Sequence, residues 1–349
     1  MRIGNRELND TELPYIAWEI GGTMGGQVSA MKLLQVASDS GAEAIKVQIL
    51  DPERLVGGSP MVSYMDVNGD RQEEPQKDAL LRRSLPWGAW LAFGQAAKEL
   101  DLDLIATVDY QTSLVTAIAA GAKAIKICSG DITNIGWIRQ VASQMRKGQP
   151  VILDTGHANL GELEQAIDTC LDAGAQVMVH HVAGGYPAGP GRVHLKGLPV
   201  LKKMFPEVAI GYSSHVASWT VDAAAIALGA VMVEKNLTLS RDHAGPEQST
   251  AVEPQEAYTF CERMREVYHS LGTPRKRILE QERRGRAAAR RSAWLRLPQQ
   301  AGTVIELHHL EYRRPAIEGG FEPPEEGHLI GRALRIDLPV GPILRSDLL

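Results

Sequence analysis

Four segments of the chain share one polarity pattern: an amphipathic stretch, then Gly-Ala, then a short apolar run that ends in polar residues. They are SGAEAIKVQ (40–48), AGAKAIKICS (120–129), AGAQVMVHH (173–181) and LGAVMVEKN (228–236). Gly41, Gly121, Gly174 and Gly229 stand where a helix needs a left-handed C-terminal residue, a conformation glycine adopts without steric cost. The apolar runs that follow are too short for helices and predict strands buried on both faces. Helix, glycine and buried strand in repetition predict parallel β/α units. YIAWE (15–19), LDLIAT (102–107), PVILDT (150–155) and VAIGYSS (208–214) fill the gaps and bring the candidate strands to eight. Spacings of mostly twenty to thirty residues suit a (β/α)8 barrel of roughly 250 residues. A doubly wound open sheet produces the same alternation, and the barrel is favoured over it.

Between the second and third strands, Asp51 to Lys77 is rich in Gly, Pro, Asp and Glu and reads as an extended βα loop over the active-site end. The pattern stops near Gly272. Residues 273–292 are rich in Arg and Lys and predict a solvated linker or surface helix rather than a nucleic-acid patch. Short β-like runs follow (AWLRL, TVIELHHL, HLIGRALRID, PVGPILRSDLL), predicting a small β-rich domain over 293–349 after a barrel over 1–272.

Composition narrows the classes. At 349 residues, with 44% apolar and 23% charged residues, the chain can bury a large core and a small second one. A net charge of -5 offers no general attraction to nucleic acid or an anionic membrane. Cys128, Cys170 and Cys261 share no CxxC spacing, which points to a reducing compartment. No long apolar run predicts a membrane span or a secretory leader, so a cytoplasmic enzyme is expected.

In such a barrel the catalytic groups stand at the C-terminal ends of the strands. Here those ends carry Glu19, Lys46 with Gln48, Thr107, Lys126 with Ser129, Asp154 with Thr155, His180 with His181, Ser213 with His215, and Glu234. A strand turns polar wherever it meets water, so each residue alone has a bland explanation. Two lysines ending otherwise buried strands do not, because a buried ammonium needs a partner; Lys46 and Lys126 are expected to face an anion. Ser129 and Gly130 follow their strand directly and are expected to open a helix, so that backbone N–H groups, a hydroxyl and an ammonium cradle phosphate or carboxylate. His215 and Glu234, on adjacent strand ends, suit a shared divalent cation. His180 alternates with Val179 and His181 on a buried strand and reads as core.

These residues carry a resemblance. PYIAWEIG (14–21), AIKVQ (44–48), KICSGDITN (126–134), PVILDTG (150–156), HVAGGYPAGP (181–190), GYSSH (211–215), EKNLT (234–238) and GPEQ (245–248) resemble the N-acetylneuraminate (sialic acid) synthase family, which includes spore-coat polysaccharide synthases. RRS (290–292), YRRP (312–315) and GHLIGRALRIDL (327–338) resemble that family's C-terminal SAF, or antifreeze-like, domain. The resemblance implies condensation of phosphoenolpyruvate with a sugar aldehyde such as N-acetylmannosamine, in a domain-swapped homodimer. It implies catalytic roles for Glu19, Lys46 and Glu234. It places phosphoenolpyruvate on Lys126, Ser129, Ser213 and Thr107, and the sugar on Gln48, Tyr186, Glu247 and, from the partner's SAF domain, Arg314. It places a divalent metal, Mn2+ or Mg2+, on His215 and the position of Asn236.

The chain departs from the family pattern at several places. Asn236 replaces a metal histidine, Asp154 replaces a serine beside the phosphate, and Thr23-Met24-Gly25-Gly26 replaces Asn-His-Asn-Gly. A carboxylate at 154 would repel phosphate unless protonated or turned away. The departures gather around acceptor and metal, so a metal-dependent aldolase or lyase on the same barrel, or a non-catalytic sugar-binding paralogue, are the competing expectations.

Overall fold

Eight parallel strands close on themselves: β1 (Tyr15–Glu19), β2 (Ala44–Ile49), β3 (Asp103–Val108), β4 (Ala124–Ile127), β5 (Pro150–Asp154), β6 (Gln176–Val182), β7 (Ala209–Ser214) and β8 (Met232–Asn236). Each pairs with the next in sequence, and β8 returns to β1 with Asn236 opposite Glu19. That last pairing excludes the open sheet and makes the fold a (β/α)8 barrel. The structure, a computed structural model, describes residues 1–146 and 148–348. Among the described residues no helix is long and apolar enough to cross a membrane. The four repeat glycines take φ of +74°, +87°, +78° and +96°, so each ends its turn in the left-handed region as the repeat requires.

Strand register sorts the side chains into two layers, because alternate residues point to opposite faces. Ile16, Trp18, Ile45, Val47, Leu104 and their equivalents pack outward against the helices in one large apolar cluster. Tyr15, Ala17, Ala44, Ile105, Ala124, Ile152, Met178 and Met232 form a second cluster inside the barrel. Two residues further along each strand, the inward positions become Glu19, Lys46, Thr107, Lys126, Asp154, His180, Ser213 and Glu234, all buried. A charged layer therefore lies on an apolar floor. Below that floor, an antiparallel hairpin of Arg2–Ile3 and Arg6–Glu7 closes the other end, with Ile3 and Leu8 joining the inner cluster.

The stretch Asp51 to Lys77 is more ordered than the open loop expected of it. It carries an antiparallel hairpin, Met61–Met65 with Arg71–Pro75, turned at Asp66 to Asp70. Asp66 accepts hydrogen bonds from the Asn68 and Asp70 N–H groups, both at 2.9 Å. Only Tyr64 of this hairpin is buried, its apolar residues Met61, Val62 and Met65 fall on both faces and the second strand is RQEEP, so it lacks the one-sided alternation that betrays a strand.

The chain divides into two compact units, Met1–Gly272 and Thr273–Leu349. Within the second, Glu280–Ala289 forms an exposed helix, so the basic stretch groups with this unit. The strand Ser292–Leu295 lies between Leu310–Arg313 and Gly341–Pro342 in an antiparallel sheet. Ala293, Leu295, Ile305, Leu310, Leu329 and Ile343 supply its own small core.

Candidate active site

Barrel closure brings the charged layer together. Lys126 Nζ on β4 donates to Glu234 Oε1 on β8 at 2.7 Å and lies 3.0 Å from Asp154 Oδ2 on β5. Lys46 Nζ on β2 pairs with Glu19 on β1 and stands 3.9 Å from the same Glu234 Oε1. The two ammonium groups thus converge on one carboxylate oxygen across the barrel axis. Ser213 Oγ donates to that oxygen too, at 3.3 Å.

This corrects two expectations. Neither lysine is left free to face an anion, because an ammonium buried this deeply requires partners within the folded chain, and Glu19, Glu234 and Asp154 supply them. Nor is Asp154 turned away or neutral: burial works to raise its carboxyl, but the Lys126 ammonium wins and holds it below the usual carboxylate range. Burial opposes ionisation of Glu234 as well, and Lys126 with Lys46 again prevails and lowers it. Lys126 is correspondingly held above its ordinary value, since Asp154 and Glu234 outweigh the effect of burial. Glu19 goes the other way. Its burial, reinforced by Glu247 and Glu234, outweighs Lys46 and pushes its carboxyl up to about 7.

Around this layer stand the remaining predicted residues. Gln48 Nε2 donates to Glu19 Oε1 at 3.2 Å. Thr107 is buried opposite Lys126 in the register, and its Oγ1 has no hydrogen-bond partner. Tyr186 hydroxyl and His215 Nε2 lie 2.8 Å apart with their rings 4.0 Å between centroids. Burial lowers the His215 imidazole, which keeps it neutral and ligand-competent, and its Nδ1 has no partner. Asn236, the last residue of β8, has an unpartnered buried amide nitrogen. Glu247 is buried beside Gly22, where a Cβ would overlap its carboxyl. Arg314 is exposed in the second unit.

Ser129 does not open a helix. After β4 the chain makes one 3-10 turn at Ser129–Asp131, and the helix begins only at Ile135, capped by Asn134 Oδ1. Ser129 Oγ instead meets His157 Nδ1 at 2.9 Å, a residue the sequence did not single out. His180, read as core, faces the site: its Nδ1 lies 3.6 Å from both Asp154 Oδ1 and Glu234 Oε2, with no hydrogen bond to either ring nitrogen. Gly211 makes this possible, because a Cβ there would come within 2.7 Å of the imidazole.

Among the described residues no group of three or more His, Cys, Asp or Glu side chains is arranged to hold a metal ion. His215 Nδ1, buried without a partner, is an atom that suits a cation, whereas the unpartnered atom of Asn236 is its amide nitrogen, a hydrogen-bond donor, so only the Asn236 carbonyl oxygen could join it as a ligand.

A parallel barrel with titratable groups converging at its C-terminal end has the architecture of a (β/α)8-barrel enzyme. The model of the NeuB family matches residues 33–276, and the chain belongs to that family. It is 29% identical to the N,N'-diacetyllegionaminic acid synthase of Campylobacter jejuni, over 82% of this chain and 86% of that one. It is 28% identical to the synthase of the same name from Legionella pneumophila, over 95% and 93%. Among solved structures it resembles the sialic acid synthetase of Leptospira borgpetersenii in complex with citrate (TM-score 0.69, 22% identity, 81% and 94% covered). It also resembles the spore coat polysaccharide biosynthesis protein spsE of Bacillus subtilis (TM-score 0.65, 22% identity, 100% and 99% covered). These two likenesses speak for the fold.

Proposed function

We propose that this chain condenses phosphoenolpyruvate with the open-chain aldehyde of an amino-sugar, giving a 2-keto-3-deoxy sugar acid and phosphate for surface carbohydrate synthesis. Membership of the NeuB family and the names of its relatives support the reaction class. One observation carries the site: the Lys46 and Lys126 ammonium groups converge on Glu234 Oε1, so that one small multiply charged anion can span them.

An incoming anion must compete with internal carboxylates. Glu19, with its carboxyl near 7, can take up a proton at neutral pH and release Lys46 from its pair. Lys126, Ser129, Ser213 and Thr107 then hold phosphoenolpyruvate, while Gln48, Tyr186 and Glu247 orient the acceptor. The C3 carbon of the enol attacks the aldehyde carbon; a C–C bond forms and the aldehyde oxygen takes a proton. Water adds to the cationic C2 and gives up a proton. The C2–O bond to phosphate breaks, inorganic phosphate leaves, and C2 becomes the ketone. Glu234 and Glu19 are the carboxylates that stabilise the cation and guide the water. A divalent cation, Mn2+ or Mg2+, held by His215 and Asn236 would polarise the aldehyde. The second unit, Thr273–Leu349, forms the SAF domain, and in a domain-swapped, cytoplasmic homodimer Arg314 serves the partner's sugar site.

The Asp154–Lys126 pair, at 3.0 Å, favours a second reading, a metal-dependent aldolase or lyase that no longer binds a phosphorylated enol. Incubation with phosphoenolpyruvate, Mn2+ or Mg2+ and a panel of aldoses and amino-sugars separates the two. Acceptor-dependent phosphate release is the expected result; a 2-keto acid formed or consumed without phosphate supports the aldolase and overturns the synthase.

A further inference from the structure

The charged layer holds one titratable group that the proposed reaction does not use. His180 on β6 is fully buried, and neither of its ring nitrogens makes a hydrogen bond. A neutral imidazole carries one donor and one acceptor, and leaving both idle away from water costs free energy. The ring lies against Gly211 on β7, where a Cβ would stand 2.7 Å from its Cδ2 and 3.0 Å from its Nε2. Nδ1 is left beside two carboxylates, 3.6 Å from Asp154 Oδ1 and 3.6 Å from Glu234 Oε2. Both separations are about half an ångström beyond the hydrogen-bond range, so a small side-chain rotation closes either one.

The partners of the two carboxylates decide which one His180 serves. Glu234 Oε1 receives Lys126 at 2.7 Å and Ser213 at 3.3 Å, with Lys46 at 3.9 Å. Asp154 has Lys126, 3.0 Å from its Oδ2. Among the described residues no other Lys or Arg pairs with it, and its Oδ1 receives no hydrogen bond. An anion that takes Lys126 adds negative charge around an ammonium already shared by both carboxylates. Glu234 then keeps Lys46 and Ser213. Asp154 keeps nothing, and a buried carboxylate without a partner is costly. His180 Nδ1 is the unpartnered nitrogen beside it.

We propose that His180 is a positioning residue that acts through Asp154: when a phosphorylated anion takes Lys126, Asp154 gives up that ammonium and accepts from His180 Nδ1–H instead. The exchange needs no proton transfer, because a neutral imidazole with its hydrogen on Nδ1 is already the donor. It rests on the synthase reading, in which Lys126 holds phosphoenolpyruvate. It also answers the repulsion expected between a carboxylate at 154 and a phosphate, since the carboxylate charge turns toward the imidazole and leaves the ammonium to the ligand. Aspartate where the family pattern has serine and a buried histidine next to it are thus one device.

A double-mutant cycle on the full chain tests this, with phosphoenolpyruvate and, separately, inorganic phosphate titrated calorimetrically at pH 7. His180→Leu is expected to weaken anion binding about ten-fold, within the range of coupling between neighbouring groups. His180→Asn, which keeps an N–H donor near the place of Nδ1, is expected to recover most of that loss. In an Asp154→Asn background, with no carboxylate charge to take up, His180→Leu is expected to cost less than about two-fold. An equal loss in both backgrounds, among variants whose urea midpoints show them folded, would overturn the proposal. If His180→Leu does not fold, the imidazole 15N spectrum of wild type decides. The His180 Nδ1 signal, identified by its absence from His180→Asn, is expected to move to the hydrogen-bonded range on saturation with the anion; an unmoved signal would overturn the proposal. Coupling seen with inorganic phosphate but no binding of phosphoenolpyruvate would remove the synthase reading and leave the role of His180 standing. Phosphoenolpyruvate binding with equal losses would do the reverse, and binding of neither anion would remove both.

Discussion

The two ends of the barrel both bury charge, and they do so differently. At the closed end, Asp103 Oδ2 receives the Tyr15 hydroxyl at 2.9 Å and Arg6 Nη1 at 3.2 Å. The hairpin that brings Arg6 there turns at Gly4, with φ +57°, and a Cβ at Gly4 would lie 2.3 Å from Asp103 Oδ1. Backbone and carboxylate are in direct contact there, and both hydrogen bonds to Asp103 Oδ2 are made within the chain. At the open end, two lysines face three carboxylates, and Thr107, Asp154, His180, His215, Glu234 and Asn236 each keep a buried polar atom without a hydrogen bond. Buried polar groups are costly when unsatisfied, so a cluster of them on one layer marks where a ligand belongs. The closed end is built for stability; the open end keeps unused bonding capacity.

That contrast can be broken by mutation. The largest effect is expected from Lys126→Met, which strips Asp154 and Glu234 of their shared cation. Removing one partner of a buried ion pair costs about 3–5 kcal/mol, read as a fall in the urea midpoint. Asp103→Ala at the closed end is expected to cost about 2 kcal/mol, the scale of hydrogen bonds to a charged group, and to leave phosphoenolpyruvate binding unchanged. Impaired binding in that variant would mean the two ends are not independent.

A subtler effect is the pH dependence of stability. The folded Glu19 carboxyl, at about 7, holds its proton more tightly than the unfolded one, with its ordinary value of 4.5. The stabilisation is therefore complete below the ordinary value and is lost as pH rises through about 7, on the order of 3 kcal/mol. Asp154 and Glu234, lowered by the lysines, have the opposite sign: their contribution is present above the ordinary carboxylate range and disappears in acid. Glu19→Gln is expected to flatten the urea midpoint between pH 5 and 8 while leaving the acid limb. A slope that persists in that variant would assign the titration elsewhere.

The barrel was legible in the sequence because four of its eight strands are short apolar runs behind a glycine-terminated helix and the other four are apolar runs at the same spacing, a purely local signal. The identity of the inward layer was legible for the same reason, since period-two alternation carries Ala44 into Lys46 and Met232 into Glu234. What neighbours those residues meet was not. Only closure of β8 on β1 sets Asn236 beside Glu19, and only the closed barrel brings Lys126 on β4 across its interior to Glu234 on β8. His180 looked like core because its strand is apolar; its role as a neighbour of two carboxylates depends on Gly211 across the sheet.

The central claim is that the two lysines form one anion site at the mouth. Titrating phosphoenolpyruvate calorimetrically into wild type, Lys46→Met and Lys126→Met at pH 7, below their unfolding temperatures, addresses it directly. The account predicts saturable binding by wild type accompanied by proton uptake, and a loss of a hundred-fold or more in each folded variant. Absence of binding to wild type, or undiminished binding to Lys126→Met, would contradict it.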